Sequence, residues 1–183
     1  INTDYFDPST TLEKDEDELF KLWELQVGKK IILFPGRLTS WKGQEIFLES
    51  INKVNIQLGH AAFIAVLLGS DQGRDLYKKK LIRLVEQYRL TNQVKFIEHC
   101  KNMPVAYKIS DFVVSASIEP EAFGRVSVEA QSMQKPILAS NIGGSKETII
   151  DNKTGILFEA GNSEDMSKKI IELLNLDEST LNQ

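Results

Sequence analysis

The stretch 30-KIILFPGRLTSWKGQEIFLESINKVNIQLG-59 changes its periodicity halfway. Lys30 to Gly36 is one continuous apolar, β-rich run closed by Pro-Gly. From Gly43 onward Ile46, Phe47, Ser50, Ile51, Val54 and Leu58 recur at helical spacing, and Gly59 ends the pattern. The stretch therefore reads as one strand feeding one amphipathic helix. The same alternation continues along the chain. "AAFIAVLLG" is a second apolar run, and "RDLYKKKLIRLVEQYRL" a second amphipathic helix carrying Leu76, Lys80, Leu81, Leu84, Val85 and Tyr88. "NQVKFIE" and "DFVVSAS" read as strands, with a short helix over "KNMPVAYKIS" turning Val105 and Ile109 inward. "GRVSVEAQSM" (helix), "KPILAS" (strand), "SKETIID" (short helix) and "TGILFE" (short strand) follow. The last helix, "NSEDMSKKIIELLN", is capped near Asn162 or Ser163.

Strand followed by helix, repeated about six times, is the pattern of an α/β domain with a parallel sheet. The strands are apolar throughout rather than alternating, as expected when helices cover both faces. The expected fold is thus a doubly wound, Rossmann-like parallel sheet. Ligands of such sheets bind at the carboxyl ends of the strands, so the loops after the strands are where chemistry is sought. No repeat of 20 to 50 residues is evident.

The 183 residues suit one domain, and 42% apolar residues suffice for a core. A net charge of −4 leaves no general basic field for nucleic acid or an anionic membrane. A single cysteine, Cys100, excludes an intrachain disulfide and fits a reducing compartment, hence a cytoplasmic assignment. The longest apolar runs fall far short of the roughly 20 residues that a bilayer span needs. Residues 1–28 are polar and acidic, read as an interdomain linker plus a helix around "DEDELFKLWEL". Residues 29–178 form the α/β domain, and 179–183 a frayed end. Ile1 in place of Met, and the character of "INTDYFDPST", are read as the interior of a longer polypeptide.

Two loops carry candidate chemistry. In "FPGRLTSWKGQE", Gly36 permits a tight turn, and Arg37 and Lys42 bracket the loop. Two cations beside a helix N-terminus make an anion site, and a guanidinium can grip phosphate with two bonds. The loop is neither a Walker loop nor G-x-G-x-x-G. On its own it reads equally well as two solvated surface cations. The second loop, "EPEAFGRVSVEA", spans Glu119 to Ala130. Glu121 falls in the loop, Gly124 to Val126 offer free backbone N–H groups at a helix start, and Glu129 lies about one turn further in. A loop carboxylate suits sugar hydroxyls, a helix carboxylate suits ribose hydroxyls, and the amides between them suit a diphosphate. Taken alone, the pair reads more readily as a loop charge and a surface ion-pair partner, since such a spacing arises easily by chance.

The motifs occur together and in order: Gly-Arg-Leu with Lys-Gly after the first strand, E-x7-E across Phe-Gly after the fourth, then Lys-Pro, "NIGG", Glu147 and "NKTGILF". In this combination the chain resembles the C-terminal, donor-binding half of the retaining GT-B glycosyltransferases of the glycosyl transferases group 1 family. "NTDYFDP" is similar to the segment that follows the interdomain crossing there. The resemblance implies a hexosyltransferase using a UDP-, GDP- or ADP-sugar without cofactor or metal. Arg37 and Lys42 match its diphosphate ligands. Glu121 matches the acid at the donor sugar, Phe123, Gly124, Arg125 and Val126 the sugar–phosphate loop, and Glu129 the ribose ligand. The region Lys95 to Glu98 corresponds to nucleobase contacts, and Gly143, Gly144 and Glu147 to structural positions. The family usually has Glu-Gly-Phe-Gly where this chain has Ala122, a change tolerated unless that residue needs positive φ. The resemblance also implies an acceptor-binding N-terminal half outside this sequence, a fragment inactive alone, and a full-length protein that could sit peripherally at a membrane.

Other features point elsewhere. Asp15-Glu16-Asp17 has the form of a D-x-D metal motif, but that motif needs a strand end, and here acids open a helix. His60 and His99 are too isolated for a ligand cluster. Trp23 and Trp41 are candidates for core or interdomain packing, and Trp41 could shield a phosphate bound between Arg37 and Lys42. A GT-B nucleotide-sugar epimerase is disfavoured by E-x7-E, and a non-catalytic nucleotide-sugar module by the intact Arg, Lys and both Glu.

Overall fold

The computed structural model describes residues 1–59 and 63–176. Six parallel strands, β1 (Lys30–Pro35), β2 (Phe63–Leu68), β3 (Val94–Ile97), β4 (Phe112–Ser115), β5 (Ile137–Ser140) and β6 (Ile156–Phe158), form one sheet in the order β3-β2-β1-β4-β5-β6. The helices are α1 (Glu13–Leu22), α2 (Gln44–Leu58), α3 (Asp75–Gln87), α4 (Met103–Lys108), α5 (Arg125–Ser132), α6 (Ser145–Thr148) and α7 (Ser163–Asn175).

Successive strand residues point to opposite faces, and both faces are dry. Ile32 and Phe34 of β1 join Phe47, Ile51, Leu81, Val85, Met166 and Ile170 in a core beneath α2, α3 and α7. Ile31 and Leu33 join Phe6, Trp23, Ala106, Tyr107, Ala130 and Met133 in a second core beneath α1, α4 and α5. That is why β2, β4 and β5 show no polar alternation: each of their residues is covered from one side or the other, while β3 and β6 at the sheet edges are largely half-buried. Phe6, Trp23 and Leu25 tie the amino-terminal segment into the second core. The Asn162 side chain caps α7, accepting from the N–H groups of Glu164 and Asp165 at 3.0 Å each.

The inward stripe of α3 runs through Tyr77, Leu81, Leu84, Val85 and Tyr88. Leu76, expected on that stripe, is 84% exposed. It lies one residue ahead of Tyr77, and a 100° step on the helix turns it to solvent. Leu58, at the end of α2, is also exposed. Ile109 is half-buried against the second core. Residues 60–62 and 177–183, which include His60 and the expected frayed end, lie outside the described residues.

After β3 the chain crosses through α4 and returns to place β4 beside β1. The strand order reverses there, so the carboxyl ends of β1 and β4 flank the crevice where doubly wound sheets bind ligands.

Candidate functional site

The loop after β1 and the loop after β4 interlock at this crevice. The Ile118 N–H donates to the Trp41 carbonyl at 2.8 Å. Gly43, with φ +77°, passes so close that a Cβ there would lie 1.9 Å from the Ala116 carbonyl oxygen. Only glycine meets both the left-handed backbone and that approach.

Across the interlock, Lys42 Nζ donates to Glu121 Oε1 at 2.7 Å, the side chains being 13% and 20% exposed. The Ser117 hydroxyl donates to the same oxygen. Lys42 Nζ also lies 4.6 Å from the centre of the Trp41 ring, and Arg37 Cζ lies 5.9 Å from it. Trp41 thus forms an apolar floor shared by the two cations, each within cation–π range. Arg37 is exposed, so its guanidinium can turn to an anion in the crevice. Gly36 ends β1, its N–H donating to Leu68 O at 2.8 Å.

Gly124, in the left-handed region at φ +70°, starts α5 with no side chain capping the helix. The N–H groups of Arg125 and Val126, the first two residues of α5, have no intrahelical acceptor. Phe123 is half exposed beside them. The loop is braced from behind by the turn after β5. The Gly144 N–H donates to Glu121 O at 2.7 Å. A Cβ on Gly144 would meet the Phe123 backbone at 2.4 Å, and one on Gly143 the Glu121 backbone at 2.6 Å. Ala122 is exposed and is not among the residues with positive φ, so the methyl that departs from the usual glycine brings no strain.

Glu129 is engaged elsewhere. It sits half-buried in the second turn of α5, where Oε2 accepts from the Tyr107 hydroxyl of α4 at 2.7 Å. Burial and the neighbouring Glu129 carboxylate hold the Tyr107 phenol well above its ordinary pKa, against the opposing charge of Arg125. In the third-strand region, Lys95 pairs with Glu24 at 3.4 Å, and Glu98 with Lys78. His99 is exposed. Asp15 and Glu16 stand in the first turn of α1, a helix start and not a strand end. Among the described residues no three His, Cys, Asp or Glu groups are placed to hold a metal ion. Nor is any described helix long and apolar enough to cross a membrane.

Sequence reasoning missed Ser117 and Tyr107. Ser117 could have been found as a hydroxyl in the same strand-end loop as Glu121. Tyr107 signalled only that a phenol in the otherwise apolar "MPVAY" needs a partner. A depression of about 460 Å³ at the amino ends of the strands is lined by Lys30, Lys108, Asp111 and Lys135. Lys30 there donates to Leu176 O at 2.7 Å and Asp111 accepts from Ile31 N–H at 2.6 Å, so these two groups already serve the fold.

Comparison with known proteins bears on this geometry. A glycosyltransferase from Rickettsia africae ESF-5 superposes with TM-score 0.92 at 34% identity, over 100% of this chain and 48% of that one. Anabaena Alr3699/HepE, solved in complex with UDP and glucose, gives TM-score 0.87 at 26% identity, over 100% of this chain and 47% of that one. The C-terminal domain of a glycosyl transferase group 1 family protein (LpcC) from Francisella tularensis gives TM-score 0.82 at 28% identity, over 100% of this chain and 90% of that one. The chain spans about two-fifths of the length of the curated relatives it matches. The sequence model described as "Glycosyl transferases group 1" matches residues 15–183. With that match across nearly the whole chain, and with a GT-B half-fold around the reversal between β1 and β4, the chain belongs to the glycosyl transferases group 1 family.

Proposed function

We propose that this chain is the donor-binding half of a retaining, metal-independent glycosyltransferase that transfers a hexose from a UDP-, GDP- or ADP-sugar. The observation that carries the reading is the meeting of Lys42 and Glu121 at 2.7 Å across the strand-order reversal, beside the uncapped start of α5. The cation and the acid meet at the crevice, and the loop that carries the acid runs on to the N–H groups that open α5. UDP in the Anabaena HepE structure supports a nucleoside diphosphate as the ligand class.

In this reading an entering donor divides the Lys42–Glu121 pair. Lys42 and Arg37 turn to the diphosphate, and Glu121 takes a sugar hydroxyl. The N–H groups of Arg125 and Val126 complete the anion cradle, and Glu129 accepts from the ribose hydroxyls. As the glycosidic bond breaks, charge develops on the departing phosphate, and the two cations stabilise it without a metal. The acceptor attacks from the same face and the departing phosphate assists its deprotonation, which retains the anomeric configuration. A second, acceptor-binding half of a longer polypeptide supplies the rest of the site. The chain alone therefore binds donor without turning it over. We assign the full-length enzyme to the cytoplasm, with room for peripheral membrane attachment.

Calorimetric titration with UDP-, GDP- and ADP-glucose tests the reading. One of the three should bind, Arg37→Ala should weaken it by roughly 1.5–3 kcal/mol, and a chelator should leave it unchanged. Absence of binding to all three would refute the donor assignment, and loss of binding on chelation would refute metal independence.

A further inference from the structure

Each acid of the E-x7-E pair receives a hydrogen bond from a hydroxyl that belongs to neither end of the motif. Ser117 donates to Glu121, and Tyr107 donates to Glu129. The second arrangement is the more constrained. Tyr107 is fully buried on α4, in the core that also contains Ala130, the residue after Glu129. The Phe6 ring meets it edge-on, with centroids 5.8 Å apart and planes at 83°. Phe6 is in turn fixed by the Ser132 hydroxyl, which donates to its carbonyl at 2.5 Å. A tyrosine so enclosed has little rotamer freedom, so its hydroxyl is held in place.

Glu129 has three side-chain torsions and is only half-buried. Without an anchor its carboxylate would sample several rotamers, and binding would bear the entropy of choosing one. Tyr107 holds Oε2, and among the described residues no hydrogen bond reaches Oε1. One oxygen is held and one is available. The phenol O–H is the donor in this bond, and burial and the Glu129 carboxylate raise its pKa.

We propose that Tyr107 is a positioning residue, whose hydroxyl fixes the Glu129 carboxylate so that Oε1 is presented to the paired hydroxyls of a ribose. This rests on the reading of Glu129 as the ribose ligand. The consequence is selectivity for ribonucleoside diphosphates over 2′,3′-dideoxynucleoside diphosphates, set in part by a side chain that touches no ligand.

The test uses UDP, GDP and ADP, each with its 2′,3′-dideoxy counterpart, titrated calorimetrically into the 183-residue chain and its Tyr107→Phe variant. The wild type should prefer the ribose form of whichever nucleotide binds. Tyr107→Phe should lower affinity for that form about five- to tenfold, the net scale of one ordinary hydrogen bond, and leave the dideoxy affinity unchanged. In a Glu129→Ala background, which leaves the Tyr107 hydroxyl nothing to position, the same Tyr107 substitution should have little further effect on ribose selectivity. An unchanged selectivity in Tyr107→Phe overturns the proposal while leaving the role of Glu129 intact. A parallel fall of both affinities also overturns it, since loss of packing would affect both forms alike. A wild type that binds ribose and dideoxy forms equally overturns the Glu129 reading, and the proposal with it. So does a wild type that binds none of the nucleotides. Should Tyr107→Phe not fold, Phe6→Leu, which removes the ring packed against Tyr107, is read in the same way: an unchanged ribose selectivity is the overturning result.

Discussion

Replacing Lys42 by methionine should destabilise the chain even without ligand, because Glu121 would lose the cation that it pairs with. Two unit charges 2.7 Å apart attract by about 1.5 kcal/mol at the dielectric of water and about 6 kcal/mol at an effective value near 20. Desolvation offsets most of the larger figure. Breaking a fully buried pair costs about 3–5 kcal/mol, whereas exposed pairs contribute about 0–1 kcal/mol. At 13% and 20% side-chain exposure, with Ser117 still donating to the orphaned carboxylate, this pair falls between those limits. A cost of about 2 kcal/mol follows for Lys42→Met. Urea unfolding followed by fluorescence reads it directly. Buried Trp23 reports the core, and Trp41 reports the loop beneath Lys42. With a slope of about 2 kcal/mol per molar urea, the midpoint should fall by about 1 M. Glu121→Gln should cost less, since Gln still accepts from Ser117 and Lys42 keeps the Trp41 ring. The double variant Lys42→Met/Glu121→Gln should recover about 1 kcal/mol or more of the sum. Additivity of the two single effects within about 0.5 kcal/mol would show that the pair is not coupled in solution, and would refute the reasoning.

Three further outcomes follow from the geometry. Gly43→Ala should cost at least about 3 kcal/mol in thermal or urea unfolding, because the new methyl meets the Ala116 carbonyl, while Gly161→Ala, at nearly the same φ with nothing within 4 Å, should cost only about 1 kcal/mol. Asn162→Ala removes the cap of α7 and should lower stability by about 1 kcal/mol, with Asn162→Asp retaining it. Stability should also fall at alkaline pH through Tyr107. Its folded pKa is raised by burial and by Glu129, so above the unfolded value near 10 the unfolded chain loses the proton first. The stabilisation is complete below pH 10 and declines above it, by up to about 1.4 kcal/mol per pH unit. Tyr107→Phe should flatten that limb in a pH series of urea midpoints. An unaltered slope would show that the phenol titrates normally.

The fold was legible because its determinants are local. A run such as Ile31 to Phe34 sends alternate residues into two separate cores, so continuous apolarity signals a strand covered on both faces. Helix stripes were legible to within a residue, and Leu76 shows the limit. An apolar residue adjacent to the stripe looks the same in sequence, and only the packing of Tyr77 and Leu81 against the sheet fixes the rotation of α3. The two chemical loops were legible as residue types, but their contact was not. Lys42 and Glu121 are 79 residues apart and meet only because the chain returns β4 to the side of β1. The Gly143-Gly144 brace was legible only as a turn. Its use, a close approach to the backbone of Glu121 and Phe123, depends on how tightly two loops pack.

What remained out of reach in the sequence was orientation. A motif such as E-x7-E fixes which residues carry charge and roughly where the backbone sets them. It does not fix where a three-torsion carboxylate points. Here the loop acid is aimed by Lys42 and Ser117, and the helix acid by Tyr107, which lies on a different helix and is held by Phe6. Phe6 belongs to the amino-terminal segment, far in sequence from the acids it helps to place. The crevice that Glu129 lines in the proposed reading is therefore coupled to that segment through the buried Tyr107 ring. A chain with every letter of the motif but a phenylalanine at 107 would look the same to a pattern search. Its Glu129 carboxylate would lose the hydroxyl that orders it.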